Sequence, residues 1–555
     1  MRKFLLFVFA FFCVSLIGAN TIQSDTTIMY PKVVGVPPSD AYIGLSQLES
    51  GEIRHYNYGE QAEPGSFYLS SMDKGFTWKK VNIPKEIPFA DIQSPISGEY
   101  LRLISAPGMG TYAIRTVGGL DGGRELIKVS TNMGIMLKPP VFIRDGKRVV
   151  VAGHYGLQQG LPRACFTYVS DDDGKTWQQS SLVTTPDHKG GGFHDGIRWN
   201  HGAAEPTVVE LNDGRLWMLI RTSQDYHYQS FSDDGGLTWS ESTPSPFYGT
   251  ITMPTIGKLR DGRLILLWSN TTPLPEINGT DGVWDDVFTN RNAIHAAISS
   301  DDGTTWQGFR ELYLDHRRNA SDFGDAPGID KSVHQSQFVE TESGRLLVSL
   351  GQHPLHRVMV MFDIDWLYED NRSWNANDGL DQWSLFSYYH GIVGHCGYNR
   401  TEGCEINDNG LEIKYQQNDS LLTSIRGALW NFPSFKKGRI SASIRFNNLN
   451  SNGSAMLNDR WFNPTDTTVK HFAPFVVSLN PKTLKVRDNK SHTVTIEWDM
   501  NESKPFATVF VDGRRVKRVA MTNESLHGLS YIHFLSDDSD SDDGYIVEWI
   551  KAERL

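Results

Sequence analysis

The sequence predicts an all-β chain: a six- or seven-bladed β-propeller followed by a jelly-roll-like β-sandwich. Three observations carry the prediction. An octapeptide of the pattern S-x-D-x-G-x-T-W recurs along the first half. Turns ending in glycine recur between apolar strands at near-regular spacing. The 555 residues include 51 Gly, 15 Trp, 20 Tyr and 28 Phe, a composition of turn formers and sheet formers.

The chain opens on Met1-Arg2-Lys3, then an apolar run over residues 4–17, then Gly18-Ala19-Asn20. A basic start, a short apolar core and small residues predict a secretory signal over 1–19 and a secreted or periplasmic mature protein. No other stretch reaches the roughly 18 apolar residues of a membrane helix, so no membrane partner is expected. The charge sum is −12, from 53 Lys and Arg against 65 Asp and Glu. Such a balance excludes nucleic acid as the main partner, because phosphate binding is driven by basic side chains. Beyond the leader, three cysteines remain. Cys165 lies in an apolar run and reads as an inert core thiol. Cys396 and Cys404 stand in a Gly-containing loop, and export predicts a disulfide between them. No Cys/His spacing calls for a metal, and no cofactor is expected.

The octapeptide appears as Ser71-Met72-Asp73-Lys74-Gly75-Phe76-Thr77-Trp78 and again at 170–177, 232–239 and 299–306, with a worn copy at 130–134. Asp can fold back onto turn amides, Gly takes positive φ, and Trp packs the turn on a sheet. These aspartates are therefore structural. A second repeat interleaves with the first, its turn glycines at Gly51, Gly98, Gly146, Gly214, Gly262 and Gly344. Spacings near 50 residues predict propeller blades, each a four-stranded meander, over residues 20–370. Amphipathic strands at 439–446, 492–498 and 507–511 predict the β-sandwich over 371–555. The acidic run 536–543 reads as a solvated loop.

The octapeptides resemble the Asp-boxes of the sialidase (neuraminidase) superfamily. The segment from His492 to Trp498, with Val511-Asp512-Gly513-Arg514, resembles concanavalin/laminin-G-like sandwiches. Glu205-Pro206-Thr207-Val208-Val209-Glu210-Leu211, followed by Asp213-Gly214-Arg215 and Arg221, resembles the sialidase stretch in which a Glu assists a tyrosine nucleophile and an Arg holds a substrate carboxylate. The resemblance implies those roles for Glu205 and Arg221. The region from His353 to Arg357 resembles that of a further carboxylate-binding Arg, which implies Arg357, with Arg291 as competitor. The F/Y-R-I-P motif that supplies the family's first Arg is missing; Tyr42-Ile43-Gly44 stands in its place.

Aligning blades on the turn glycine gives a pocket independently. Nine residues before it lie Leu137, Glu205, Met253 and Gln335; seven or eight after it lie His154, Arg221, Asn270 and Gln352, with His353 next. Strand starts and return-strand ends meet at one face around the axis, so polar residues there predict a central site. Histidines gather at these positions: His154, His201, His334 and His353. Unperturbed histidine titrates at about 6.5, which suits proton transfer. With Tyr226 nearby in sequence, these parts are similar in kind to those of propeller-fold ulvan and other uronate lyases. The leading expectation is a lyase or dehydratase acting by β-elimination on an acidic, uronate-containing glycan. His201 or His334 would be acid/base, with Tyr226 and His154 assisting, Glu205 orienting, and Arg221, Arg357 or Arg291 and His353 binding. The alternatives are a sialidase-like exo-glycosidase and a non-catalytic glycan-binding propeller.

Overall fold

The structure is a computed structural model. It describes residues 28–38, 41–57, 67–83, 90–106, 108–156, 163–188, 202–249, 251–271, 291–314, 332–351, 357–388, 400–401, 403–407, 409–421, 423–537, 540 and 542–555. The expected leader, His201, His353 and Cys396 lie outside them.

Six antiparallel sheets follow one another along the chain among the described residues, each of four or five strands. They cover residues 45–82, 92–130, 134–179, 204–248, 255–314 and 337–363. Each of the first five is a local meander. The sixth is not: its outer strand is Lys32–Gly35, brought back from the start of the chain to pair with Val358–Asp363. The Gln337 side chain joins the sixth sheet to the first, accepting from Leu45 N at 3.0 Å and donating to Leu45 O at 2.7 Å.

The packing explains why the second strand of each sheet is so apolar. Leu216–Arg221 is buried along its whole length. Leu216, Met218 and Ile220 face a core with Val150, Ala152 and Cys165 of the third sheet. Trp217 and Leu219 face a second core with Leu264, Leu266 and Trp268 of the fifth. Side chains alternate across a strand, and both faces meet a neighbouring sheet, so the polar alternation of a half-exposed strand disappears.

The repeated turns behave as structural devices. Asp73, Asp172, Asp234 and Asp301 each accept from the amide and hydroxyl of the Thr four residues on, at 2.5 to 3.0 Å. Gly75, Gly174, Gly236 and Gly303 have φ of 98°, 80°, 94° and 85°, where a Cβ is disfavoured. A Cβ on Gly303 would also meet Trp217 at 2.7 Å.

The chain leaves the sixth sheet at Asp363 and enters a different assembly at Asn371–Asn375, which pairs with the last strand, Gly544–Arg554. An eight-stranded and a five-stranded sheet here share one core, including Trp374, Trp383, Trp430, Phe432, Phe534 and Tyr545. Cys404 is a buried thiol whose Sγ donates to Gly427 O at 3.4 Å. No helix is long and apolar enough to cross a membrane, and no group of three or more His, Cys, Asp or Glu could hold a metal ion, among the described residues.

Candidate functional site

Glu205 is the second residue of the strand Ala204–Glu210, and Arg221 the last of Leu216–Arg221. Ala204 pairs with Arg221, and the register then slips before Thr207 pairs with Leu219. The irregularity contains Glu205, whose φ is 47°, a left-handed conformation uncommon for a residue with a Cβ. Pro206 follows and has no N–H to give the ladder. The result turns the Glu205 side chain onto Arg221: Nη1 donates to Oε1 at 2.6 Å, with side-chain exposures of 6% for Arg221 and 12% for Glu205. Among the described residues the other oxygen, Oε2, is buried without a hydrogen-bond partner. A buried unsatisfied carboxylate oxygen costs stability, and functional sites are where such costs concentrate.

Four of the six sheets supply the surroundings. From the third, His154 Nδ1 accepts the Glu205 backbone N–H at 3.2 Å. From the fifth, Arg291 Nη2 donates to Ile251 O, and Arg291 O accepts from Val333 N at 3.0 Å. From the sixth, His334 is fully buried and its Nδ1 accepts from Met253 N at 3.5 Å. Gln335 beside it has φ of 61°, so the strand start equivalent to Glu205 in the sequence alignment shares its unusual backbone. Arg357 is buried too; its charge acts on His55, whose Nε2 is 2.8 Å from Ser349 Oγ.

The electrostatics favour an anion. Burial alone would push the Glu205 carboxyl up, but Arg221, His154 and Arg291 together hold it below the usual range. Burial lowers the Arg163 guanidinium, and the like charge of Arg221 lowers it further, which shows two guanidiniums close enough to repel. Arg221 and Arg291 thus act on the carboxylate and Arg163 on Arg221, a surplus of positive charge around one anion.

His154 and Tyr226, both expected at the site, stand in different surroundings. His154 is buried, and burial takes its imidazole down to about 4, with Arg221 and Arg163 adding to the fall and Glu205 opposing it. At neutral pH it is an uncharged acceptor for the Glu205 amide, not a group titrating near 6.5. Tyr226 starts the next strand, and its ring stacks on Tyr248 with centroids 4.7 Å apart. It lines a groove with Tyr248, Asn270, Asp459 and His527, between the fourth sheet and the C-terminal sheets. The structure therefore sets Tyr226 against the C-terminal region rather than among the histidines.

The sequence reading did not single out Lys138, Arg163 or residues 459–461. Lys138 stands one position after Leu137, the strand start that the alignment did select, so reading one residue further would have found it. It is buried, and desolvation takes its amine down to about 7 against an upward pull from Glu205. Residues 459–461 carry no local signal. They matter because Asn270 Nδ2 donates to Asp459 O at 2.8 Å and Trp461 N donates to Asn270 O at 2.9 Å. Arg460 lies 3.9 Å from the centroid of Tyr248. The C-terminal region thus clasps one of the rim positions found by the alignment.

Residues 123–361 match the family described as the BNR repeat-like domain. That span holds Glu205, Arg221, His154, His334, Arg291 and Arg357. No curated protein matches. Among solved structures, a Dyadobacter fermentans protein of unknown function is 17% identical, with a TM-score of 0.40 over 61% of this chain and 97% of its own. A Trypanosoma rangeli sialidase is 12% identical, with a TM-score of 0.33 over 95% of this chain and 92% of its own. An intramolecular trans-sialidase from Ruminococcus gnavus is 14% identical, with a TM-score of 0.35 over 61% and 95%.

Proposed function

We propose that this chain is an exported glycan-active protein that binds an anionic sugar at one end of a six-bladed propeller and cleaves it by hydrolysis. The six sheets are the blades, and the two C-terminal sheets form a β-sandwich against the fourth and fifth. One observation carries the reading: the Glu205–Arg221 pair, built in a strand irregularity, with Arg291 acting on Glu205, Arg163 acting on Arg221, and one carboxylate oxygen without a partner among the described residues. A sugar carboxylate would meet the surplus guanidinium charge, where bidentate contacts are strong. Glu205, ionised at neutral pH, offers Oε2 to accept a proton from a hydroxyl brought beside it. The match of residues 123–361 to the BNR repeat-like family supports a glycan as the ligand class. Hydrolysis is preferred to β-elimination because His154 Nδ1 is engaged by the Glu205 amide and Tyr226 stacks on Tyr248 in the groove towards the C-terminal sheets, so two of the groups that elimination was expected to use are occupied.

The test is incubation with a panel of sialosides and uronate oligosaccharides, read by mass spectrometry. Hydrolysis adds one water to the summed products. Elimination leaves the summed mass unchanged and creates an unsaturated uronate with new far-UV absorbance. Arg221→Ala should abolish turnover and weaken binding. Full activity in that variant would sink the assignment, and binding with no product would make the propeller a lectin.

A further inference from the structure

Lys138 belongs to the third sheet, between the strands Gly134–Ile135 and Val141–Ile143. Its Nζ donates to Ser336 O of the sixth sheet at 2.8 Å and to Thr255 Oγ1 of the fifth. Those acceptors are themselves joined: Thr255 Oγ1 donates to Ser336 O at 2.9 Å, and Ser336 Oγ donates to Thr255 Oγ1 at 3.0 Å. In a ring of six, the third and sixth sheets face each other across the axis. One side chain therefore spans the centre at the level of the strand starts, where Glu205 begins its own strand.

We propose that Lys138 is a positioning residue of the axial site: it ties three blades together across the axis at the level where Glu205 begins its strand. The charge coupling to Glu205 expected from this placement rests on the reading of Glu205 as a site residue; the axial tie stands without it.

The Glu205 carboxylate pulls the Lys138 amine upward against burial, so the ammonium lowers the Glu205 carboxyl in return. The other charged neighbours of Glu205 are Arg221 and Arg291, and His154 is neutral at pH 7. The sixth sheet presents His334 and Ser336, and the fifth presents Thr255. Burial brings the amine to about 7, so it changes charge where its partners do not. The folded value lies below the unfolded one. Between about pH 7 and 10 the unfolded chain therefore binds more protons at this position, and stability rises with pH.

The experiment measures unfolding by denaturant from pH 6 to 9 on the full chain and needs no glycan. Relative to Lys138→Met, the wild type should gain at least about tenfold in its folding equilibrium constant between pH 7 and 9. Thr255→Val, which removes an acceptor but keeps the amine, should retain the slope. Parallel wild-type and Lys138→Met curves would overturn the tie. A double-mutant cycle of Lys138→Met with Glu205→Gln should show coupling of about three- to tenfold at pH 6, fading by pH 9. Absence of coupling at both pH values would overturn the positioning of Glu205. Neither arm depends on which glycan is bound, so failure of the proposed function leaves both readable.

Discussion

Two sets of carboxylates in this molecule differ in almost every physical respect. The four repeat aspartates sit in turns, and each is satisfied by the amide and hydroxyl of its own octapeptide. Glu205 is largely but not fully buried, its backbone is left-handed, and its partners come from other strands and other sheets. The repeated carboxylates are held low by hydrogen bonds a few residues away, whereas Glu205 is held low by guanidiniums distant in sequence. Repetition here marks architecture, and the carboxylate that occurs once in a broken register is where the proposed chemistry is placed.

That contrast can be broken experimentally. The largest effect is expected at Arg221→Ala, which strands a buried charge and should cost about 3–5 kcal/mol in chemical denaturation. Combining it with Glu205→Gln should recover a large part, because the stranded charge goes too. If the single and double variants are equally unstable, the pair is not what holds this place together. Next comes Asp234→Ala, which removes acceptors for Ser232, Leu237 and Thr238 and should cost about 1–2 kcal/mol while leaving glycan binding unchanged. Altered binding would blur the division between the two classes.

Acid titration sharpens the same division. Asp234 is at about 2: burial raises it, and bonds from Thr238, Ser232 and Leu237 outweigh the rise. Its folded value lies below the unfolded one, so its contribution is complete above about pH 4 and is lost as pH falls towards 2. Asp234→Asn should therefore lose less stability than wild type over that window, measured by thermal melts. The smallest effect is expected at Arg460→Ala. Losing its position over Tyr248 should cost about 1 kcal/mol and loosen the groove around Asn270, read as faster amide exchange there.

Legibility in the sequence followed how local the physics is. The turns could be read because Asp, Gly, Thr and Trp act on one another within eight residues. Glu205 and Arg221 could be read as a pair because the hairpin that joins them is short. The state of His154 could not, because its titration is moved by burial, which no spacing reveals. Nor could the surroundings of Tyr226, because its stacking partner, Tyr248, faces residues 459–461 from the far end of the chain. Lys138 escaped notice because one lysine before Pro139 looks like an ordinary loop residue until three sheets are assembled around it.

The outer strand of the sixth sheet carries a temporal consequence. Met29 N donates to Asp363 Oδ2 at 2.8 Å across 334 residues, beside the pairing of Lys32–Gly35 with Val358–Asp363. A contact that distant closes late, because the intervening loop must be ordered first. During synthesis the five local meanders can form as they emerge, while the circle stays open. Trimming the chain past Gly35 should therefore leave most of the strands intact yet spring the seam, exposing a sheet edge that invites aggregation.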